Sequence, residues 1–169
     1  MNSMTARAPQ LLDSSLLDFL ESDVAILVAS VDSANKPVIT RGFGVRVSDD
    51  CTELTVFLTD KQSAEVLKNV TLTGRIALTV AKITSYESFQ VKGQNAREVG
   101  LSLKDERYIA SYLEGAKMEM TRVGVLPEHA AALFKSRETQ KLVGVKFTVA
   151  AVYCQTPGPG AGEVREQSE

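Results

Sequence analysis

A chain of 169 residues that is 44% apolar and 24% charged has the composition of an ordinary folded domain, far from the disordered and collagen-like classes. Its 19 Lys and Arg against 21 Asp and Glu leave no large field to attract nucleic acid or an acidic membrane surface, so an anion site has to be built from local charge. No run approaches the ~18 apolar residues of a membrane span, and MNSMTARAPQ lacks the apolar core of an export signal, so the expectation is a cytoplasmic protein with no membrane contact. The length favours one domain, large enough to bury roughly 68–70% of its unfolded surface. Cys51 and Cys154 show no CxxC spacing and read as reduced thiols, and a single histidine, His129, leaves no metal-ligand set.

In chain order, Leu12, Leu16, Phe19 and Leu20 recur at helical spacing and predict an amphipathic helix over 10–22. VAILVASVD, 24–32, is a nearly continuous β-rich run, the pattern of a strand buried on both faces, and SANKP ends it. A second strand is predicted from Val38 to Val47, with Gly42 and Gly44 marking a bend or a close approach. The turn Ser48-Asp49-Asp50 leads to a two-faced strand from Glu53 to Thr59, and a short helix is predicted over Lys61 to Asn69. GRIALTVAKI, 74–83, reads as a central strand, and SFQVKGQNAREV, 88–99, as a more polar one with a bulge at Gly93. A long helix follows from Leu103 to Met118, opened by a capping box of Ser102 and Asp105, then a short one from Pro127 to Phe134. The last strand, Lys141 to Tyr153, alternates Val143, Val145, Phe147, Val149 and Ala151. Six strands with tight early connections predict an α+β fold: a six-stranded antiparallel barrel with flanking helices. Residues 1–10 are expected to be a flexible N-terminus, 11–154 the domain and 155–169 an irregular, Pro/Gly-rich tail.

Chemistry concentrates between Pro37 and Lys68. Arg41 and Arg46 offer bidentate, charge-assisted donors, and Thr59, Asp60, Lys61, Gln62 and Ser63 open a helix whose first N–H groups favour an anion. Five positions apart on a regular strand, the two arginines face opposite ways, so they can share a phosphate only across a bulge at Gly42 or Gly44. Asp60 or Thr59 reads equally well as a plain N-cap, and Glu65 opposes a phosphate while suiting the helix dipole. Tyr108 and Tyr112, one helical turn apart, read as core rather than a stacking platform, and His129 reads as a surface residue. GFG at 42–44 lacks the third glycine and the opening helix of a dinucleotide loop. The residues thus suggest a phosphate-bearing cofactor on a small β-barrel.

From the leading helix through VAILVASVD, the strand with Arg41 and Arg46, LTVFLT, the helix with Ser63, GRIALTV and FQVKG, the chain resembles the FMN-binding split β-barrel proteins related to pyridoxamine 5′-phosphate oxidase, over about Leu12 to Tyr153. The resemblance implies a split barrel over 11–154 that binds FMN. Arg41 and Arg46 would hold its phosphate, and Thr59 and Ser63 would contact phosphate or ribityl. Glu65 stands where that family often has a lysine, and Lys61 is placed to compensate. A homodimer with flavin in a groove between two barrels is also implied, as is a flavin-dependent oxidoreductase acting on an unidentified small molecule. The alternatives are a non-catalytic binding protein for flavin, haem or another anionic ligand, and a deazaflavin-dependent reductase. The C-terminal arginine motif of the oxidase itself has no counterpart in the tail.

Overall fold

The segment expected to form one strand from Val38 to Val47 forms two, because Gly42, Phe43 and Gly44 leave the strand conformation between them. In the computed structural model, which describes residues 11–135 and 140–165, β2 runs Pro37–Arg41 and β3 Val45–Val47. The other strands are β1 (Ala25–Val31), β4 (Glu53–Thr59), β5 (Ile76–Ala81), β6 (Ser88–Val99) and β7 (Leu142–Cys154); the helices are α1 (Ser14–Leu20), α2 (Ala64–Thr73), α3 (Leu103–Arg122) and α4 (Pro127–Leu133). Seven strands among the described residues therefore replace the six expected. The α+β antiparallel architecture stands, with strand order β2-β1-β5-β6-β7-β4-β3 and every neighbouring pair antiparallel. The expected flexible N-terminus, 1–10, lies outside the described residues.

The break joins the two edges of this sheet. The Gly42 N–H donates to the Ile26 carbonyl of β1 (3.0 Å), while Phe43 N–H donates to the Phe57 carbonyl of β4 (2.8 Å) and Phe57 N–H donates to the Gly44 carbonyl (3.2 Å). Three residues thus cross from one edge to the other and curl the sheet into a barrel, with Phe43, Val45, Leu54, Val56, Leu78 and Val28 buried in its core. Both glycines are required. A Cβ on Gly42 would lie 2.4 Å from Ile26 Cγ2, and Gly44 has φ +112° with Tyr108 Cε1 2.8 Å from where its Cβ would be.

The other elements follow from local chemistry. Asp13 caps α1, and α3 opens with the predicted capping box, Ser102 and Asp105 each accepting the other's backbone N–H. α2 begins at Ala64 rather than Lys61, since 60–63 form a tight turn in which Ser63 N–H donates to the Thr59 carbonyl (3.1 Å). Gly74, left-handed at φ +63°, ends α2, which packs on β1, β6 and β2. β6 slips register at Lys92/Gly93, where Ala150 of β7 is passed over, so the buried set of β7 continues from Val149 to Val152 instead of Ala151. Of the tail, residues 155–165 are described: Val164 bridges to Tyr153, and Arg165 Nη2 reaches Asp13 Oδ2 (2.6 Å).

β1 is covered on one face only. Ile26, Val28 and Ser30 point inward, whereas Leu27 is 45% exposed, and Ile39, which pairs with Ala29 on the same outward face, is 68% exposed. An apolar run tells how much of a strand is greasy, but not whether its own chain covers both sides.

Two tyrosines pin α3 to the barrel wall. The Tyr108 hydroxyl donates to the Val45 carbonyl (2.6 Å) and accepts the Val45 N–H (3.2 Å), its ring tilted on Phe57; the Tyr112 hydroxyl donates to the Val24 carbonyl (2.7 Å). Burial pushes the Tyr108 phenol up to about 12 and also raises Tyr112. Tyr112 is a core residue, as its spacing predicted, and Tyr108 packs half-buried against the core.

Gly44→Ala should therefore destabilise the fold by on the order of 2 kcal/mol, lowering the thermal midpoint by roughly 4–8 °C. Gly100→Ala, with open space at its Cβ, should leave the midpoint where it is. An unmoved midpoint for Gly44→Ala would contradict the seam.

An alkaline absorbance titration gives a second check. A phenol whose folded pKa lies above its unfolded value of about 10 stays neutral in the native state, so its stabilising contribution is complete below pH 10 and is lost as pH rises toward 12. Tyr108→Phe should remove a late phenolate step from the curve; an unchanged curve would mean that Tyr108 is not buried against Val45.

Candidate functional site

The crossing at 42–44 resets the alternation of side chains. Without it Arg41 and Arg46 would face opposite ways; with it both point toward the layer formed by α3 and α4. Arg46 makes an ion pair with Asp105 in the first turn of α3. Arg41 lies with its guanidinium carbon 5.4 Å from the centroid of the Phe134 ring, just past α4, the distance of a cation–π contact. It lines a cavity of about 210 Å³ with Asp23, Leu27, Tyr112, Met120 and Phe134 among its walls. The bulge that the two arginines needed is present, as a full strand break.

Thr59 belongs to the same side of the wall. Arg46 pairs directly with Thr55, and Thr55, Phe57 and Thr59 alternate onto one face of β4. Its hydroxyl is completely buried and has no hydrogen-bond partner among the described residues, an arrangement native structures rarely leave unexplained. Ser63 is placed otherwise. Thr40, whose side chain points opposite to that of Arg41, meets it at 3.0 Å between hydroxyls, inside the barrel. Ser63 is the N-cap of α2 by position, yet among the described residues no side chain caps the helix, and the Ala64 N–H donates to the Lys61 carbonyl (3.4 Å) instead. Lys61 is exposed, and Glu65 is exposed in the first turn of α2. The structure thus brings Arg41, Arg46 and Thr59 to one side, sets Ser63 on the other and leaves Lys61 in solvent.

Charges near the arginines shape what can bind. Burial would raise the Asp105 carboxyl, but hydrogen bonds from the Ser102 hydroxyl and N–H and from Arg46 more than offset it and hold it below the ordinary aspartate range. Asp23 moves the opposite way, raised by burial and by the Glu119 carboxylate, itself buried and held by Thr84 Oγ1 (3.2 Å) and by an ion pair with Arg122. Asp23, Phe134 and the pairing role of Asp105 escape sequence reasoning. Asp105 was legible as half of a cap, but nothing in the sequence links it to an arginine 59 positions away. His129 is exposed on α4, Cys51 and Cys154 are free thiols, and among the described residues no three His, Cys, Asp or Glu side chains converge. No helix of the described residues is long and apolar enough to cross a membrane.

No protein-family model and no curated protein sequence matches the chain. Solved structures do. HupZ of Group A Streptococcus is 17% identical with a TM-score of 0.52, over 89% of this chain and 99% of that one. A provisional pyridoxamine 5′-phosphate oxidase from Lactobacillus delbrueckii is 14% identical with a TM-score of 0.51, over 86% and 96%. An FMN-binding protein from Syntrophomonas wolfei is 12% identical with a TM-score of 0.51, over 84% and 87%. At such identities the likeness speaks of architecture alone: the chain shares with these proteins the fold of an antiparallel barrel flanked by helices.

Proposed function

We propose that this chain binds FMN by its phosphate and works as a flavin-dependent oxidoreductase on a small molecule, as a homodimer. The observation that carries the proposal is the strand break, which turns two arginines five positions apart toward the same layer. Arg41 and Arg46 would hold the phosphate, and the orphaned Thr59 hydroxyl is the buried polar atom that such a group, or a ribityl hydroxyl, would satisfy. When bound, the flavin supplies the hydride chemistry. The protein's own work is then positional: the arginines fix the charged tail, while Phe134 and Met120 give the cavity beside Arg41 apolar walls.

The dimer is supported by the uncovered face of β1 and β2, where Leu27 and Ile39 lie exposed beside the small side chains of Ala29 and Ala77. A second copy laid on this face would bury it. Light scattering should give twice the 18.3 kDa chain mass, and Ile39→Lys should shift it to the monomer. A monomeric parent protein would contradict this assembly.

The cofactor proposal is tested by comparing FMN with riboflavin, which lacks the phosphate. A charge-assisted hydrogen bond contributes about 1.5–3 kcal/mol, so FMN should bind tighter by roughly ten- to a hundredfold. Arg41→Gln should remove most of that preference. Equal affinities for the two flavins would remove the phosphate site.

A further inference from the structure

We infer that Asp105 is an internal counter-ion that sets the charge selectivity of the site: its carboxylate occupies Arg46 in place of a ligand phosphate and weakens binding of doubly charged groups. The inference rests on the phosphate reading above and names the residue that tunes it.

The carboxylate divides its two oxygens. Oδ1 faces Arg46 Nη1, whereas Oδ2 accepts the Ser102 N–H (2.8 Å) and the Ser102 hydroxyl (2.6 Å). A ligand oxygen can therefore replace Oδ1 at the guanidinium without dismantling the cap of α3, because the cap uses the other oxygen. The negative charge would nevertheless stay. It lies within the first helical turn, its side chain only 13% exposed, beside an arginine that is 33% exposed. Water screens such a charge incompletely. A dianion arriving at Arg46 meets repulsion from Asp105 as well as attraction from the arginine, while a neutral hydroxyl-bearing ligand meets neither.

A purely structural role for the pair explains less. α3 is already fastened to the wall by the half-buried Tyr108, whose hydroxyl meets Val45, and by the buried Tyr112, whose hydroxyl meets Val24. Its N-terminus is closed by Ser102 whether or not Arg46 is present. The ion pair adds to a joint that other contacts make, yet it removes one of the two cations that the strand break turns toward this layer.

The test uses FMN and riboflavin titrations of the full-length protein at low and high salt. Asp105→Asn keeps the size of the side chain and an oxygen for the Ser102 N–H while deleting the charge. FMN should bind about tenfold tighter at low ionic strength, the gain should shrink as salt rises, and riboflavin affinity should not move. In an Arg46→Gln background the gain should vanish, since the arginine is what Asp105 competes for. Ser102→Ala serves as the control for helix loosening: it weakens the cap and lowers the melting temperature but leaves the charge, so FMN affinity should change less than twofold. If Asp105→Asn leaves FMN affinity unchanged while Arg46→Gln weakens it, the phosphate reading survives and the counter-ion role is overturned. If Asp105→Asn tightens riboflavin as much as FMN, the effect travels through packing of α3, and the charge argument falls. If FMN and riboflavin bind alike in the parent and in Arg41→Gln, Arg46→Gln and Asp105→Asn, the phosphate site itself is wrong and the inference falls with it.

Discussion

Everything in this structure that bears on function passes through three backbone hydrogen bonds at Gly42, Phe43 and Gly44. By bonding to β1 on one side and β4 on the other, this short crossing closes a seven-stranded sheet that would otherwise end in two open edges. The same crossing shifts the phase of the side chains, so that arginines which a regular strand would place back to back turn toward one layer. The lack of side chains at 42 and 44 makes it feasible: Ile26 and Tyr108 fill the volume that a Cβ would claim. Fold closure and the geometry of the candidate site are thus one constraint rather than two.

The α3 helix then decides how much of that geometry is open to a ligand. It is held by two tyrosine hydroxyls on main-chain carbonyls, Tyr112 buried and Tyr108 half-buried, positioning contacts because a phenol left unpaired away from water carries a desolvation penalty. So fixed, it brings Asp105 to Arg46, and Phe134 beyond α4 covers Arg41. The two cations are unequal in consequence. One is neutralised by a carboxylate and the other rests on an aromatic face, which attracts a guanidinium without cancelling its charge.

Much of the fold was legible because local signals agreed. β4 and β6 lie where alternation and turn residues placed them, and the capping box of Ser102 and Asp105 opens α3 as read. The strand count was not, since glycines at 42 and 44 announce a departure from the strand without saying whether it is a bulge in one strand or a passage between two. The start of α2 was misplaced because Asp60, a good capping residue by type, sits in a turn whose N–H is taken by the Lys141 carbonyl. The outward face of β1, with Leu27, reads as buried in sequence because apolar character is the same whether the cover comes from the chain or from elsewhere. Of the site, the arginines, Thr59 and Ser63 could be nominated from type and spacing. That Ser63 turns to Thr40, and Arg46 to Asp105, depends on contacts between residues far apart in the chain, which no local pattern encodes.

The central claim is that the strand break makes one phosphate site from two arginines, and the phosphorus nucleus reports on it directly. In a ³¹P NMR spectrum of FMN added to the protein, the account predicts a bound resonance displaced from that of free FMN, and displaced differently in Arg41→Gln and in Arg46→Gln. A bound flavin whose phosphorus resonance stays at the free position, and is indifferent to both substitutions, would contradict it.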